Sequence, residues 1–152
     1  MAELAIEAVD GRAAALLAEL HRQCFDMGWS EEELAALLAT PGASALLATR
    51  GAEPLGFLIT RQAADEAEII TIGTRPEMRR EGIARHLIEA ASQRLAAISV
   101  ARFFAEVAAG NHAARALYAR LGFSEVGMRH GYYAGKDGPA EDAHVLLKVL
   151  RR

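Results

Sequence analysis

The residues that most plainly suit chemistry are Arg79-Arg80-Glu81-Gly82-Ile83-Ala84-Arg85, a basic turn between a β-branched stretch and a helical one. The first turn of a helix leaves backbone N–H groups unpaired and carries positive partial charge, which makes it a ready anion site. Gly82 has no Cβ, so a ligand can approach the backbone closely, and Ala84 is nearly as small. Arg79, Arg80 and Arg85 add full charges, and a guanidinium can grip phosphate oxygens in pairs. A solvated basic helix start would use the same residues, so alone the turn specifies an anion and nothing finer. A P-loop would need a Gly-Lys-Ser/Thr ending, and a dinucleotide fingerprint three spaced glycines with a later acidic residue. Neither pattern is present.

Other reactive residue types give less. Cys24 falls on the apolar face of a helix with no base arranged beside it in sequence, which describes a buried structural thiol rather than an acyl carrier. As the sole cysteine it allows no internal disulfide. His21, His86, His112, His130 and His144 are scattered without a His-x3-His pair, and no metal is expected. Glu31-Glu32-Glu33 suit a solvated helix start that complements the macrodipole. With 152 residues, 52% hydrophobic and 24% charged, the chain is read as one folded domain over 1–152. A net charge of −3 gives no global pull toward nucleic acid or an anionic membrane. No apolar run approaches the roughly 20 residues that span a bilayer. Met1-Ala2-Glu3-Leu4 lacks the basic and apolar parts of a signal peptide, so a cytoplasmic protein is expected.

The elements that must position the turn follow from periodicity. Leu4 to Val9, bounded by Asp10-Gly11, reads as a strand. Leu16, Leu17, Leu20 and Cys24 recur at helical spacing between Arg12 and Phe25. Ser30 and Glu33 form a capping-box pattern ahead of Leu34, Leu37 and Leu38, and Pro41-Gly42 ends that helix. Ser44 to Thr49 and Leu55 to Arg61 are strands around the turn Gly51-Ala52-Glu53-Pro54, and Glu68 to Thr74 is a third. A helix from about Gly82 to Ala97 puts Leu87, Ala90, Ala91 and Leu95 inward; Arg102 to Val107 returns as a strand. Asn111 caps a helix carrying Ala114, Leu117, Tyr118 and Leu121, which Gly122 stops. Strands near Ser124 to His130 and Ala143 to Leu150 close a mixed α/β sheet covered by helices.

The pattern Arg/Gln-x-x-Gly-x-Gly/Ala after a strand resembles the pyrophosphate-binding motif of the GNAT acetyltransferases. Glu106-Val107, then Asn111, Ala114, Leu117-Tyr118 and Leu121-Gly122-Phe123, resemble the second half of the same core. Trp29-Ser30, Tyr132-Tyr133 and Glu141-Asp142-Ala143 are similar to the RimI-type branch, whose members acetylate the N-terminal alanine of a small-subunit ribosomal protein. Two positions depart from that branch. Ala108 stands where arginine usually follows Glu-Val, and Gly28 where proline often precedes the tryptophan.

The resemblance implies a GNAT fold, an α/β architecture with a mixed, mostly antiparallel central sheet flanked by helices and splayed at the acetyl-CoA site. It implies direct acetyl transfer from acetyl-CoA to an amine within a ternary complex, without a metal. Glu106 is then the candidate base, sufficient through water for an α-amine of pKa near 8. Tyr118 is the candidate acid for the departing thiolate, although a tyrosine sharing a face with Ala114 and Leu121 also suits a core. Backbone N–H groups of Ile72, Gly73 and Thr74 would meet the acyl carbonyl and pantetheine arm. Gly73 would suit a bulge there or simply allow close packing. The turn Arg79 to Arg85 and Asn111 would hold the rest of the cofactor. Trp29, Tyr132 and Tyr133 would line the acceptor groove, or serve as core or dimer contacts. The implied partners are acetyl-CoA and a protein N-terminus, ribosomal in origin, acting as monomer or homodimer with no nucleic acid or membrane. Two alternatives stand beside this reading: a small-amine acetyltransferase, for a polyamine, aminosugar or amino acid, and a module that senses acyl-CoA without turnover.

Overall fold

A computed structural model describes residues 3–133 and 141–150. The elements run β1 (Leu4–Val9), α1 (Ala14–Cys24), α2 (Glu31–Leu38), β2 (Ala43–Arg50), β3 (Glu53–Ala63), β4 (Glu66–Thr74), α3 (Ile83–Ala97), β5 (Arg102–Ala108), α4 (His112–Arg120), β6 (Ser124–Tyr133) and β7 (Glu141–Val149). The order matches the sequence reading. The seven strands form one sheet in the order β1-β2-β3-β4-β5-β7-β6. Every pairing is antiparallel except β4 with β5.

Side chains alternate across a strand, so the apolar runs of β2 and β3 are buried on both faces. Ala45, Leu47, Phe57 and Ile59 pack with Leu17, Leu20 and Leu34 under α1 and α2. Leu46, Ala48 and Leu58 join Ile83, Leu87, Ile88 and Leu95 of α3, and this second cluster continues through Phe103, Ala105 and Val107 to Tyr118 and Phe123. Both clusters exclude water from whole side chains, and burying one Leu, Ile or Phe contributes about 1.5–3 kcal/mol.

The capping residues act as read. Ser30 Oγ accepts from the Glu33 N–H at 3.1 Å and Glu33 Oε1 from the Ser30 N–H at 3.3 Å. Asn111 Oδ1 accepts from the Ala114 N–H at 3.1 Å, and Gly122 adopts φ +95°. Some expectations need correction. Leu16 is 38% exposed, because α1 turns Leu17 and Leu20 to the sheet and Leu16 falls beside that stripe. The hairpin turn is tighter than 51–54: β2 and β3 pair up to Arg50 and Glu53, leaving Gly51-Ala52, and Pro54 lies within β3 beside the register shift at Ala48/Thr49. A 3-10 turn at Pro76–Met78 also intervenes between β4 and α3.

Candidate active site

The candidate site begins where the one parallel pairing among the described residues ends. β4 and β5 are in register at Glu66–Arg102, Ala67–Phe103 and Glu68–Phe104, and then part. Beyond Glu68, β4 has β3 on one side and no paired strand on the other. Alternate residues of an antiparallel strand turn their N–H and C=O groups away from the partner. The stretch through Ile72, Gly73 and Thr74 therefore offers unpaired backbone to the gap.

The expected bulge exists but not at Gly73. β3 and β4 shift register between Ile59/Thr60, opposite Thr71 and Ile69, so Ile70 is the extra residue. Gly73 is in register with Phe57, and its missing Cβ answers to packing. A Cβ there would stand 2.8 Å from the Phe57 ring and 3.0 Å from Cys24 Sγ. Cys24 thus seats α1 against the end of β4, where burial pushes its thiol pKa up while the Arg79 charge opposes.

After β4 the chain turns through Arg79 and Arg80, both exposed, into α3. Arg80 has φ +70° and Gly82 φ +81°. Gly82 is the N-cap and supplies no side-chain acceptor, so the first N–H groups of α3 keep no cap. The volume around Gly82 is ordinary, since a Cβ would meet nothing nearer than 3.6 Å. The left-handed backbone is what selects glycine. Glu81 turns its carboxylate to Arg50 at 3.6 Å, and Arg85 pairs with Glu89 at 3.5 Å. Within this turn the backbone, Arg79 and Arg80 are thus left for an anion.

On the α1/α2 face, the gap opens into a cleft of about 1020 Å³ whose lining includes Trp29, Glu68, Ile70, Phe104, Glu106 and Arg129. Phe103, Ala105 and Val107 point into the core with Tyr118, so alternation turns Phe104 and Glu106 into this cleft. Glu106 is one-quarter exposed and lies 3.2 Å from the Arg129 guanidinium. Arg129 reaches this carboxylate from β6. Tyr118 comes from the opposite face of the sheet, 5% exposed and edge-on to Phe123 at 5.1 Å. Glu106 and Tyr118 therefore lie on opposite faces of the sheet, and Asn111 opens the helix that carries Tyr118.

The remaining motif residues fasten loops. Glu141 Oε2 accepts from the Gly110 N–H at 3.0 Å, and Asp142 Oδ1 from the Gly131 N–H at 2.8 Å. The hydrogen bond from the Gly131 N–H holds the Asp142 carboxyl below its usual pKa, with burial opposing. Ala143 is fully buried. Gly28 is required because a Cβ there would lie 2.7 Å from Arg22 Cα. Tyr132 and Tyr133 close β6, and their side chains lie outside the described residues.

Sequence reasoning passed over Arg129 and His21. His21 is 3% exposed and stacks between Phe25 and Trp29, at ring-centroid distances of 4.5 and 4.8 Å. Its position, one turn from Leu17 and Cys24 on the apolar face, was the available signal. Among the described residues no group of three or more His, Cys, Asp or Glu could hold a metal, and no helix is long and apolar enough to cross a membrane.

Residues 14–123 match the family model described as the acetyltransferase (GNAT) family. The ribosomal protein bS18-alanine N-acetyltransferase of Escherichia coli is 39% identical over 98 residues, 64% of this chain. The matched stretch spans 66% of that relative, just under two thirds of its length. A crystal structure of the ribosomal-protein-S18-alanine N-acetyltransferase from Escherichia coli superposes with TM-score 0.90 at 29% identity, covering 99% of this chain and 96% of that one. Arabidopsis thaliana NAA60 in complex with acetyl-CoA shares the fold with TM-score 0.82 at 19% identity, over 97% and 98% of the two chains.

Proposed function

This chain belongs to the GNAT acetyltransferase family, and from that premise we propose that it moves acetyl from acetyl-CoA to the α-amine of a protein N-terminus. The N-terminal alanine of a small-subunit ribosomal protein is the acceptor this reading names, from the activity in the names of the Escherichia coli relatives. The observation that carries the proposal is the parting of β4 and β5 past Glu68 and Phe104, with Glu106 facing the resulting cleft.

The residues fit acetyl-CoA. The uncapped start of α3, with Gly82 in the left-handed region and Arg79 and Arg80 beside it, suits the pyrophosphate. The exposed backbone edge of Ile72 to Thr74 suits the acetyl-pantetheine arm, its N–H groups aimed at the carbonyl oxygen. Bound there, acetyl-CoA supplies an activated thioester. Glu106 takes the proton of the incoming ammonium, directly or through water, so that a neutral amine attacks. Arg129 fixes the Glu106 carboxylate in the cleft. Tyr118, on the opposite face of the sheet, delivers a proton to the departing sulfur. Asn111 shapes the start of α4, and Trp29 borders the acceptor. Holding both reactants across one gap supplies much of the rate.

The cleft's open extent of about 1020 Å³ favours a peptide end over a small free amine. An acceptor panel tests this, with release of coenzyme A thiol as the readout. Peptides beginning Ala-Arg are expected to react fastest. Turnover confined to polyamines, aminosugars or amino acids would replace the peptide acceptor, and acetyl-CoA binding without turnover on any amine would overturn the enzyme reading.

A further inference from the structure

His21 connects the two halves of the site. The Trp29 N–H donates to His21 Nδ1 at 3.0 Å, so Nδ1 is the bare nitrogen and the ring proton sits on Nε2. That Nε2–H donates to Thr71 Oγ1 at 3.2 Å. Thr71 follows the Ile70 bulge on β4, one residue before the edge at Ile72 to Thr74. Trp29 belongs to the loop between α1 and α2 and lines the same cleft as Glu106. Phe25 and Trp29 close over the two faces of the imidazole, and Phe57 of β3 lies behind it at 5.5 Å. Residues 25–30 form no helix or strand, and the Trp29 backbone is tied to the body of the protein through this ring.

We propose that His21 is a positioning residue that fixes the cleft-lining loop 25–30, and with it Trp29, to strand β4, so that the acceptor is registered against the acyl-donor edge. A phenyl ring would preserve the stack and lose both hydrogen bonds. A buried ring of any kind would fill the core equally well, so the two bonded nitrogens are the part that packing alone does not require. The acceptor assignment of the cleft underlies the kinetic half of this inference. The loop-ordering half is independent of it.

Trp29 is the chain's sole tryptophan, so its emission reports on this loop directly. The experiment compares the full-length wild type with His21→Phe and Thr71→Val, reading Trp29 emission and iodide quenching without substrates, then steady-state kinetics. Both variants are expected to show red-shifted, more quenchable emission. KM for an Ala-Arg peptide should rise about tenfold, as loss of one or two buried hydrogen bonds predicts, while KM for acetyl-CoA stays within about twofold. Wild-type emission and quenching in folded variants would overturn the proposal, as would equal rises in both KM values. If His21→Phe fails to fold, Thr71→Val, which keeps side-chain shape, decides alone. If the wild type acetylates no peptide, the proposed acceptor fails, and the emission arm still decides whether His21 orders the loop.

Discussion

At the scale of single residues, the sheet turns Glu106 and Tyr118 to opposite faces, and the roles proposed for them predict different kinetic signatures. Tyr118→Phe retains the ring against Phe123 and removes only the hydroxyl. Turnover should fall by about one to two orders of magnitude with KM for acetyl-CoA nearly unchanged. Unaltered kcat would remove Tyr118 as the acid. Arg80 presents a different test, because a non-glycine residue at φ +70° costs about 1 kcal/mol or more. Arg80→Gly should raise the unfolding midpoint while weakening acetyl-CoA binding. A midpoint that falls, or binding that is untouched, would detach that strain from the anion site. His21 adds a pH dependence. Burial holds its pKa below the ordinary 6.5, with Glu33 of α2 opposing. The unfolded chain therefore takes up the proton first as pH falls. The stability of the neutral ring is complete above about pH 6.5 and is lost as pH drops from there to the folded-state pKa. Urea midpoints should decline across that window in the wild type and more shallowly in His21→Phe.

Elements explain which of these residues the sequence could disclose. Features whose partners lie within one turn were legible: the Ser30–Glu33 capping box, the Asn111 cap, the Gly122 stop and the strand-turn-helix around Gly82. Features whose partners come from distant strands were not. His21 finds Thr71 fifty residues away, and Arg129 reaches Glu106 because β6 pairs with β7 and β7 with β5. Glycine at position 73 suggested either a bulge or close packing, and only the second holds. The bulge lies at Ile70, and Gly73 serves the contact of α1 with β4. Gly73→Ala tests that assignment. Its methyl would enter space held by Phe57 and Cys24, so stability should drop by about 1–3 kcal/mol, measured by urea unfolding. A neutral substitution would mean α1 rests less tightly on β4 than the packing indicates.

For the whole molecule, one topological choice organises both stability and chemistry. The inner strands β2 and β3 are buried on both faces, which holds α1/α2 and α3 on opposite sides of a rigid sheet. Among the described residues only β4 and β5 are parallel, and they pair over their first three residues. The strands part at that point, and in the proposed reading a donor held by α3 meets an acceptor in the cleft on the α1/α2 face. Fold class was readable because the motif residues are contiguous, as are those of the turn that the proposal gives to the cofactor. The acceptor side was read by resemblance alone, since its lining comes from loop 25–30, β4, β5 and β6 together.

The most direct measurement is to incubate the protein with acetyl-CoA and an Ala-Arg-starting peptide that also contains lysine, with Glu106→Gln in parallel, and to locate the acetyl group by tandem mass spectrometry. The account predicts acetylation on the N-terminal α-amine, reduced by about a hundredfold or more in Glu106→Gln. Acetyl found only on lysine side chains, or equal α-amine acetylation by Glu106→Gln, would contradict it.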